Sequence, residues 1–394
     1  MQDFRFYSPT YFCFGRDSEK SIGELVKRFG GSKVLIHYGG GSVKKNGVFD
    51  KVTASLEDEG IPYVELGGVK PNPRSGLVYQ GIDLCRRENV DFILSVGGGS
   101  TIDSSKAIAA GVLYEGDFWD YYSKDMVIEK ALPVGTVLTI AAAGSEGSGD
   151  SVITHEDGMF KRGATGEGIR PKFSVLNPEN TCSLSAYQTA CGITDIMAHV
   201  CERYFTNTAD VEITDRLCEG ILKAMITESP KVMENLQDYE ARANIMWAGM
   251  VAHNNVCGVG REQDWSSHDI EHELSALYDV AHGAGLAVIM PAWMEYVAEH
   301  YSPDRGAQFA VRVWGCEMDF ADKKRTAKEG IARFRAFLSS IGMPRNFREL
   351  GAKAEDIPKL AAHLSYRADG TMGGYMKLTQ KDVEGIYRIA AEAE

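Results

Sequence analysis

Three of the chain's nine histidines, His268, His272 and His282, fall within fifteen positions of one another. His268 and His272 are four residues apart in DWSSHDIEHEL, so on a helix both rings leave the same face one turn apart. Asp195 and His199 repeat that spacing in GITDIMAHVCERYF. A carboxylate and several imidazoles are the donor set of a divalent transition metal, and these five residues are five candidates for the roughly four positions of a catalytic-type site. Spacing does not say which histidine is spare. Read more plainly, Asp195, His199 and Glu202 could lie along an ordinary solvated helix face. His272-Glu273 begins like the zinc-protease pattern H-E-x-x-H, but Ala276 holds the last position, which removes the main support for a hydrolase.

A second chemistry sits in the glycine runs. Gly39-Gly40-Gly41-Ser42 follows the β-prone segment 33–38 (KVLIHY), and Gly97-Gly98-Gly99-Ser100 follows 92–96 (FILSV). A glycine turn between a buried strand and a helix lets backbone N–H groups and the helix dipole approach a phosphate. Neither run is G-x-G-x-x-G, because Lys44 and Ile102 occupy the last glycine position. Either run alone could be only a tight turn; two in consecutive strand–helix units favour nucleotide binding. A third small-residue stretch, Thr139 to Glu146, follows the strand-like PVGTVLTI and could wrap the other end of an extended ligand, or simply allow close packing.

These residues need two scaffolds. Up to about residue 181 strand-like and helix-like segments alternate, including a helix over 50–59, a strand over 61–66 and a helix from TIDSSKAIAAGVL, which implies a parallel sheet covered on both faces. Beyond that point long amphipathic patterns take over and convincing strands disappear. The expected organisation is an α/β nucleotide-binding domain over 1–181 and an all-helical metal-binding domain over 182–394, the 394 residues being too many for one ordinary core. A net charge of -13 argues against nucleic acid or an anionic membrane surface as the main partner. No apolar run reaches bilayer length, and the amino terminus lacks a signal-peptide pattern, so a cytoplasmic location is expected. The eight cysteines form no C-x-x-C pair and read as mostly buried thiols.

Taken in order, PNP at Pro71 to Pro73, SVGGGSTIDSSKA, GSE at Gly144 to Glu146, G-x-x-D-x-x-x-H at Gly192 to His199 and H-x-x-x-H with a later histidine resemble the iron-containing, or group III, alcohol dehydrogenases. The resemblance runs from about Phe6 to the carboxyl terminus. It is closest to the branch of NAD(P)H-dependent butanol dehydrogenases and aldehyde reductases. It implies a Rossmann-like first domain within a dehydroquinate synthase-like architecture, and metal held by Asp195, His199, His268 and His282. His272 is then the catalytic proton-relay group beside the nicotinamide and substrate. One divalent ion, Fe(II) or Zn(II), is implied, with a small aldehyde or alcohol as substrate, and a homodimer in which a strand over residues 4–7 could pair across the interface.

Cofactor contacts fall to Gly39 to Ser42, Gly97 to Ser100, Asp103, Thr139 and Lys161, the last of which could equally be an exposed hairpin lysine. NAD-preferring relatives often carry Asp where Gly39 stands, so NADP(H) is favoured over NAD(H). Apolar Trp247, Trp265 and Leu286 favour simple aliphatic substrates. A polyol dehydrogenase of glycerol type and a non-catalytic nucleotide- or metal-binding protein are the alternatives. The chain departs from the family pattern at Asn177-Pro178, Leu184-Ser185 and Ala143, which bears on fine cofactor contacts and not on the metal donors.

Overall fold

The computed structural model describes residues 1–124 and 126–393. They form two compact units, one of residues 7–185 with 235–254 and one of residues 1–6, 186–234 and 255–394.

The first unit is built on six parallel strands: β1 (Tyr11–Phe14), β2 (Val34–Tyr38), β3 (Tyr63–Leu66), β4 (Phe92–Gly97), β5 (Val134–Leu138) and β8 (Phe173–Leu176), in the order β1-β8-β5-β4-β2-β3. Side chains of a strand alternate between faces, and both faces here are covered. On one, Val34, Ile36, Phe92, Leu94 and Val96 pack with Ile22, Val52 and Leu56. On the other, Leu35 and Ile93 meet Val78, Ile82 and Ile108. This explains why the central strand β4 is apolar except at Ser95 and buried at every residue. The hairpin β6 (Asp150–His155) and β7 (Phe160–Thr165) stands apart as its own antiparallel pair.

The structure corrects the sequence reading in several places. Within the chain the first paired strand is Tyr11–Phe14, laddered with Phe173–Leu176, while the Gln2 N–H donates to the Gly260 carbonyl at 2.8 Å; the pairing expected of residues 4–7 is with a second subunit. Helix Tyr239–His253 belongs to the α/β unit: Met246 joins Ile102, Leu138 and Leu176 in one core cluster, and Trp247 meets Phe12 and Phe14 edge-on. An amphipathic pattern says that a helix has a buried face but not which core receives it. Two-residue strands at Thr371–Met372 and Leu378–Thr379 also interrupt the helical region.

In the second unit, helix His282–His300 packs against Ala186–Tyr204, Ser266–Tyr278, Lys323–Ser340 and Gln380–Glu392. Surrounded in this way it is apolar on nearly every side, and Trp293 at its centre is 1% exposed. None of the described helices is long and apolar enough to cross a membrane.

Candidate active site

The metal-ligand candidates all lie in the second unit. Asp195, His199 and Glu202 are 4%, 4% and 1% exposed, so the solvated-face reading of this helix is wrong. Burying two carboxylates and an imidazole on one helix is costly unless they are bonded or paired. Asp195 Oδ1 is the focus of the group: His199 Nδ1 lies 3.6 Å away, and Nε2 of His268 and of His282 lie 3.7 Å away each. Donors about 2.1 Å from a tetrahedral ion stand about 3.4 Å from one another, close to these separations. The donor atoms of Asp195, His268 and His282 all fall within 4.8 Å of each other. His199 sits beside that trio with its ring stacked on His268 at 4.6 Å.

Two buried glutamates aim the rings. Glu202 Oε1 accepts from the His268 backbone N–H at 3.0 Å and meets His268 Nδ1 at 2.9 Å. Glu271, fully buried, accepts from His282 Nδ1 and from Ser275 Oγ. With Nδ1 engaged, Nε2 of each ring is left to face Asp195, the arrangement in which outer-sphere carboxylates fix the tautomer of metal-binding histidines. His268 Nε2 is buried without a hydrogen-bond partner among the described residues, so the pocket holds an orphaned ring nitrogen whose lone pair a cation would satisfy. Burial disfavours the His268 imidazolium, but Asp195 and Glu202 outweigh it and push its pKa up to about 9. Burial raises Glu202 to about 7 against the pull of His268. The residues therefore fit one divalent ion.

His272 stands at the margin, its ring 5.5 Å from that of His282 and partly exposed. It also has a donor atom within 4.8 Å of Glu271 and His282. Glu271 is already bonded to His282, so His272 sits alongside the Asp195 cluster and outside its centre. Leu286 is core and fully buried, Trp247 lies in the first unit, and Trp265 meets His268 edge-on. The sequence offers Glu202 only as part of a helix face and gives Glu271 no distinguishing mark. Their signal was faint: each lies three residues from a ligand candidate on the same helix, spacing that surface pairs share.

The nucleotide candidates lie in the first unit. Gly39 and Gly40 follow β2, and Gly41, at φ +100°, opens the short helix Ser42–Lys45. Glu65 on the neighbouring β3 accepts from Lys44 Nζ at 2.6 Å and from the Tyr38 hydroxyl at 3.0 Å, so that turn has a neutralised carboxylate nearby. At the second run, a Cβ on Gly97 would meet Thr101 Oγ1 at 2.4 Å, on Gly98 the Ile140 side chain at 2.9 Å, and on Gly99 the Ala143 Cβ at 2.8 Å. Thr139 N–H donates to the Gly97 carbonyl at 3.0 Å, so the 139–143 turn is pressed onto the glycines, and Gly99 and Ser100 open the helix Gly99–Leu113. Asp103 is spent inside the protein: its carboxylate accepts from Ser145 Oγ at 2.6 Å and Val152 N–H at 3.0 Å, and burial lifts its pKa to about 6 against the pull of Lys106. Lys106, unremarked in the sequence, is fully buried and donates to Ser145, Ser148 and Asp150. Lys161 is 5% exposed, opposite Thr154 in the hairpin, and not the exposed lysine that was the alternative.

A parallel-sheet unit carries glycine turns at its strand ends, and a helical unit carries a carboxylate–imidazole cluster whose donors suit a divalent ion. Residues 9–178 match the family model described as iron-containing alcohol dehydrogenase, and residues 189–391 that of the Fe-containing alcohol dehydrogenase family, C-terminal. NADH-dependent butanol dehydrogenase A of Clostridium acetobutylicum is 41% identical over 98% of this chain and 99% of its own. NADPH-dependent aldehyde reductase YqhD of Escherichia coli is 34% identical over 99% of this chain and 100% of its own. The crystal structure of NADH-dependent butanol dehydrogenase A from Thermotoga maritima superposes with a TM-score of 0.95 at 41% identity, covering 100% of this chain and 99% of that one. The chain belongs to the iron-containing alcohol dehydrogenase family, on the branch of butanol dehydrogenases and aldehyde reductases. It is accordingly an NAD(P)H-linked oxidoreductase of alcohols and aldehydes.

Proposed function

We propose that the protein interconverts small aliphatic aldehydes and primary alcohols, butanal and butanol among them, at a metal centre formed by Asp195, His199, His268 and His282. The observation that carries this reading is the convergence of three imidazole nitrogens on Asp195 Oδ1 at 3.6 to 3.7 Å. A divalent ion held there, Fe(II) or Zn(II), supplies a Lewis acid for the substrate oxygen, and a bound nicotinamide supplies or takes up the hydride. Glu202 and Glu271 keep the His268 and His282 Nδ1 atoms occupied, which presents Nε2 to the centre. His272, next to His282 but outside the donor trio, gives or takes the alcohol proton at a ring nitrogen. Gly97 to Ser100 and Thr139 form the phosphate cradle, while Asp103 braces it from within through Ser145.

The finer cofactor reading is NADPH ahead of NADH. Gly39 lacks the carboxylate that would repel a 2′-phosphate, Gly40, Gly41 and Ser42 offer N–H groups and a hydroxyl, and the nearby Glu65 is paired with Lys44. Relatives named for NADH and for NADPH both match along their full length, and the ratio of initial rates decides between the two cofactors.

The test is the initial rate of NADPH and of NADH oxidation with butanal, using protein reloaded with Fe(II) or Zn(II), beside His268→Ala. Metal-dependent turnover lost in the variant, and faster with NADPH, is the expected result. Turnover with neither cofactor and neither metal would sink the aliphatic-aldehyde reading, and a rate favouring NADH would overturn the Gly39 argument.

A further inference from the structure

Trp265 occupies a place that the donor set leaves unexplained. It directly precedes helix Ser266–Tyr278, where its carbonyl accepts the Asp269 N–H at 3.0 Å. The backbone on either side is held: Asp264 Oδ1 accepts from Ser266 N–H, and its Oδ2 accepts from Gly374 and Tyr375 N–H at 2.7 and 2.6 Å. From that anchored position the indole meets two ligand candidates edge-on, His268 at 5.3 Å and 71° and His199 at 6.0 Å and 64° between ring centroids and planes. The Arg203 guanidinium lies over the same indole, 4.7 Å from its ring centroid. Arg203 is 2% exposed, and its Nη1 donates to the His199 carbonyl at 2.9 Å, while Arg261 Nη1 holds the Arg203 carbonyl at 3.0 Å. A buried cation, an indole and two stacked imidazoles thus form one contiguous assembly.

Glu202 and Glu271 hold the tautomers of His268 and His282 through their Nδ1 atoms. The His199 ring stacks on His268 at 4.6 Å and meets the indole edge. A planar cation over an indole fixes the indole rotamer more narrowly than apolar contact alone, because the attraction depends on the guanidinium lying over the ring face.

We propose that Trp265, backed by Arg203, is a positioning residue of the metal centre: the indole sets the planes of the His199 and His268 imidazoles and thereby how tightly, and in what geometry, the ion is held. The proposal rests on the metal-centre reading above, and the experiment separates the two.

Metal-free wild type, Trp265→Phe, Trp265→Ala, Arg203→Lys and His268→Ala are titrated with Co(II) against a competing chelator, the visible absorption bands of the bound ion being recorded. Far-UV circular dichroism confirms the fold of each. Trp265→Ala is expected to bind Co(II) about 10- to 100-fold more weakly, the range for loss of an outer-sphere partner, with altered band positions or intensities. Trp265→Phe, which keeps a ring, stays within about threefold of wild type. Arg203→Lys keeps the charge but loses the planar stack, and is expected to weaken binding at least threefold; it decides the matter if Trp265→Ala does not fold. A residue that merely fills space would lower thermal stability and leave the Co(II) spectrum unmoved. Unchanged affinity and spectrum in Trp265→Ala, or in Arg203→Lys where the alanine variant is unfolded, overturns the proposal while the metal centre stands. Wild type and His268→Ala failing alike to bind Co(II) overturns the metal-centre reading itself, and this proposal with it.

Discussion

Each ligand candidate is only as good as the group behind it. The His268 and His282 rings are held at Nδ1 by Glu202 and Glu271, both out of contact with solvent. Replacing either glutamate by glutamine keeps the shape but loses the charge that favours N–H donation. Glu202→Gln and Glu271→Gln are expected to weaken metal binding about 10- to 100-fold, read by chelator competition; affinity within twofold of wild type would show these carboxylates to be bystanders. His272 makes the opposite prediction. His272→Ala is expected to keep its metal and to lose about 10²- to 10⁴-fold in turnover, the usual worth of a general acid or base. If the variant loses metal instead, His272 is a ligand. The sequence named all five of these Asp and His residues, because donor chemistry and helical spacing are local. It could not name the glutamates as partners, because Glu202 meets His268 across 66 residues of chain.

At the level of elements, the strand-to-helix turn after β4 works because nothing projects from its three glycines. A methyl group on Gly98 would come within 3.0 Å of three Ile140 side-chain atoms, while the backbone at φ -93° is open to any residue. Gly98→Ala therefore overpacks the turn without straining its backbone, at a cost of about 1–3 kcal/mol. The expected readout is a nucleotide dissociation constant raised at least tenfold, followed by cofactor fluorescence; an unchanged constant would show that phosphate does not sit in this turn. Close packing is one of the two sequence readings of the 139–146 stretch, and the structure supplies its partners, Ile140 on Gly98 and Ala143 on Gly99. The stretch packs against the glycines and, through Ser145, Ser148 and Asp150, is pinned by Lys106.

For the molecule as a whole, one buried histidine links stability to pH. His37 on β2 bonds the Leu66 carbonyl through Nδ1 at 2.7 Å and Ser104 Oγ through Nε2 at 2.9 Å, and burial drives its pKa down from 6.5 to about 4 despite the Leu66 bond. Above pH 6.5 the ring is neutral in both folded and unfolded chains. Between 6.5 and 4 the unfolded chain takes up a proton that the folded one refuses, so stability falls as the pH falls. The gap corresponds to about 3 kcal/mol over that window. Denaturant titrations at pH 7 and pH 4.5 are expected to show a shallower loss in His37→Gln than in wild type; parallel slopes would remove His37 as the cause. Assembly belongs to this scale too. Family resemblance implies a homodimer, so light scattering is expected to give twice the chain mass of 43.2 kDa, and a monomeric mass would overturn that expectation.

The sequence by itself determined the two kinds of scaffold, the glycine turns and the donor residues. These depend on local quantities: the period of apolar residues, the steric freedom of glycine, and the ligand chemistry of Asp and His. Only the tertiary structure decided that Asp195, His199 and Glu202 face a buried site and not water, that Asp103 and Lys106 brace a turn from inside, and that helix Tyr239–His253 joins the α/β core. The physical reason is common to all three. Burial and hydrogen-bond partners are set by which surfaces meet over long stretches of chain, and the same residue types at the same spacing are stable on an exposed face or a buried one until that packing is known.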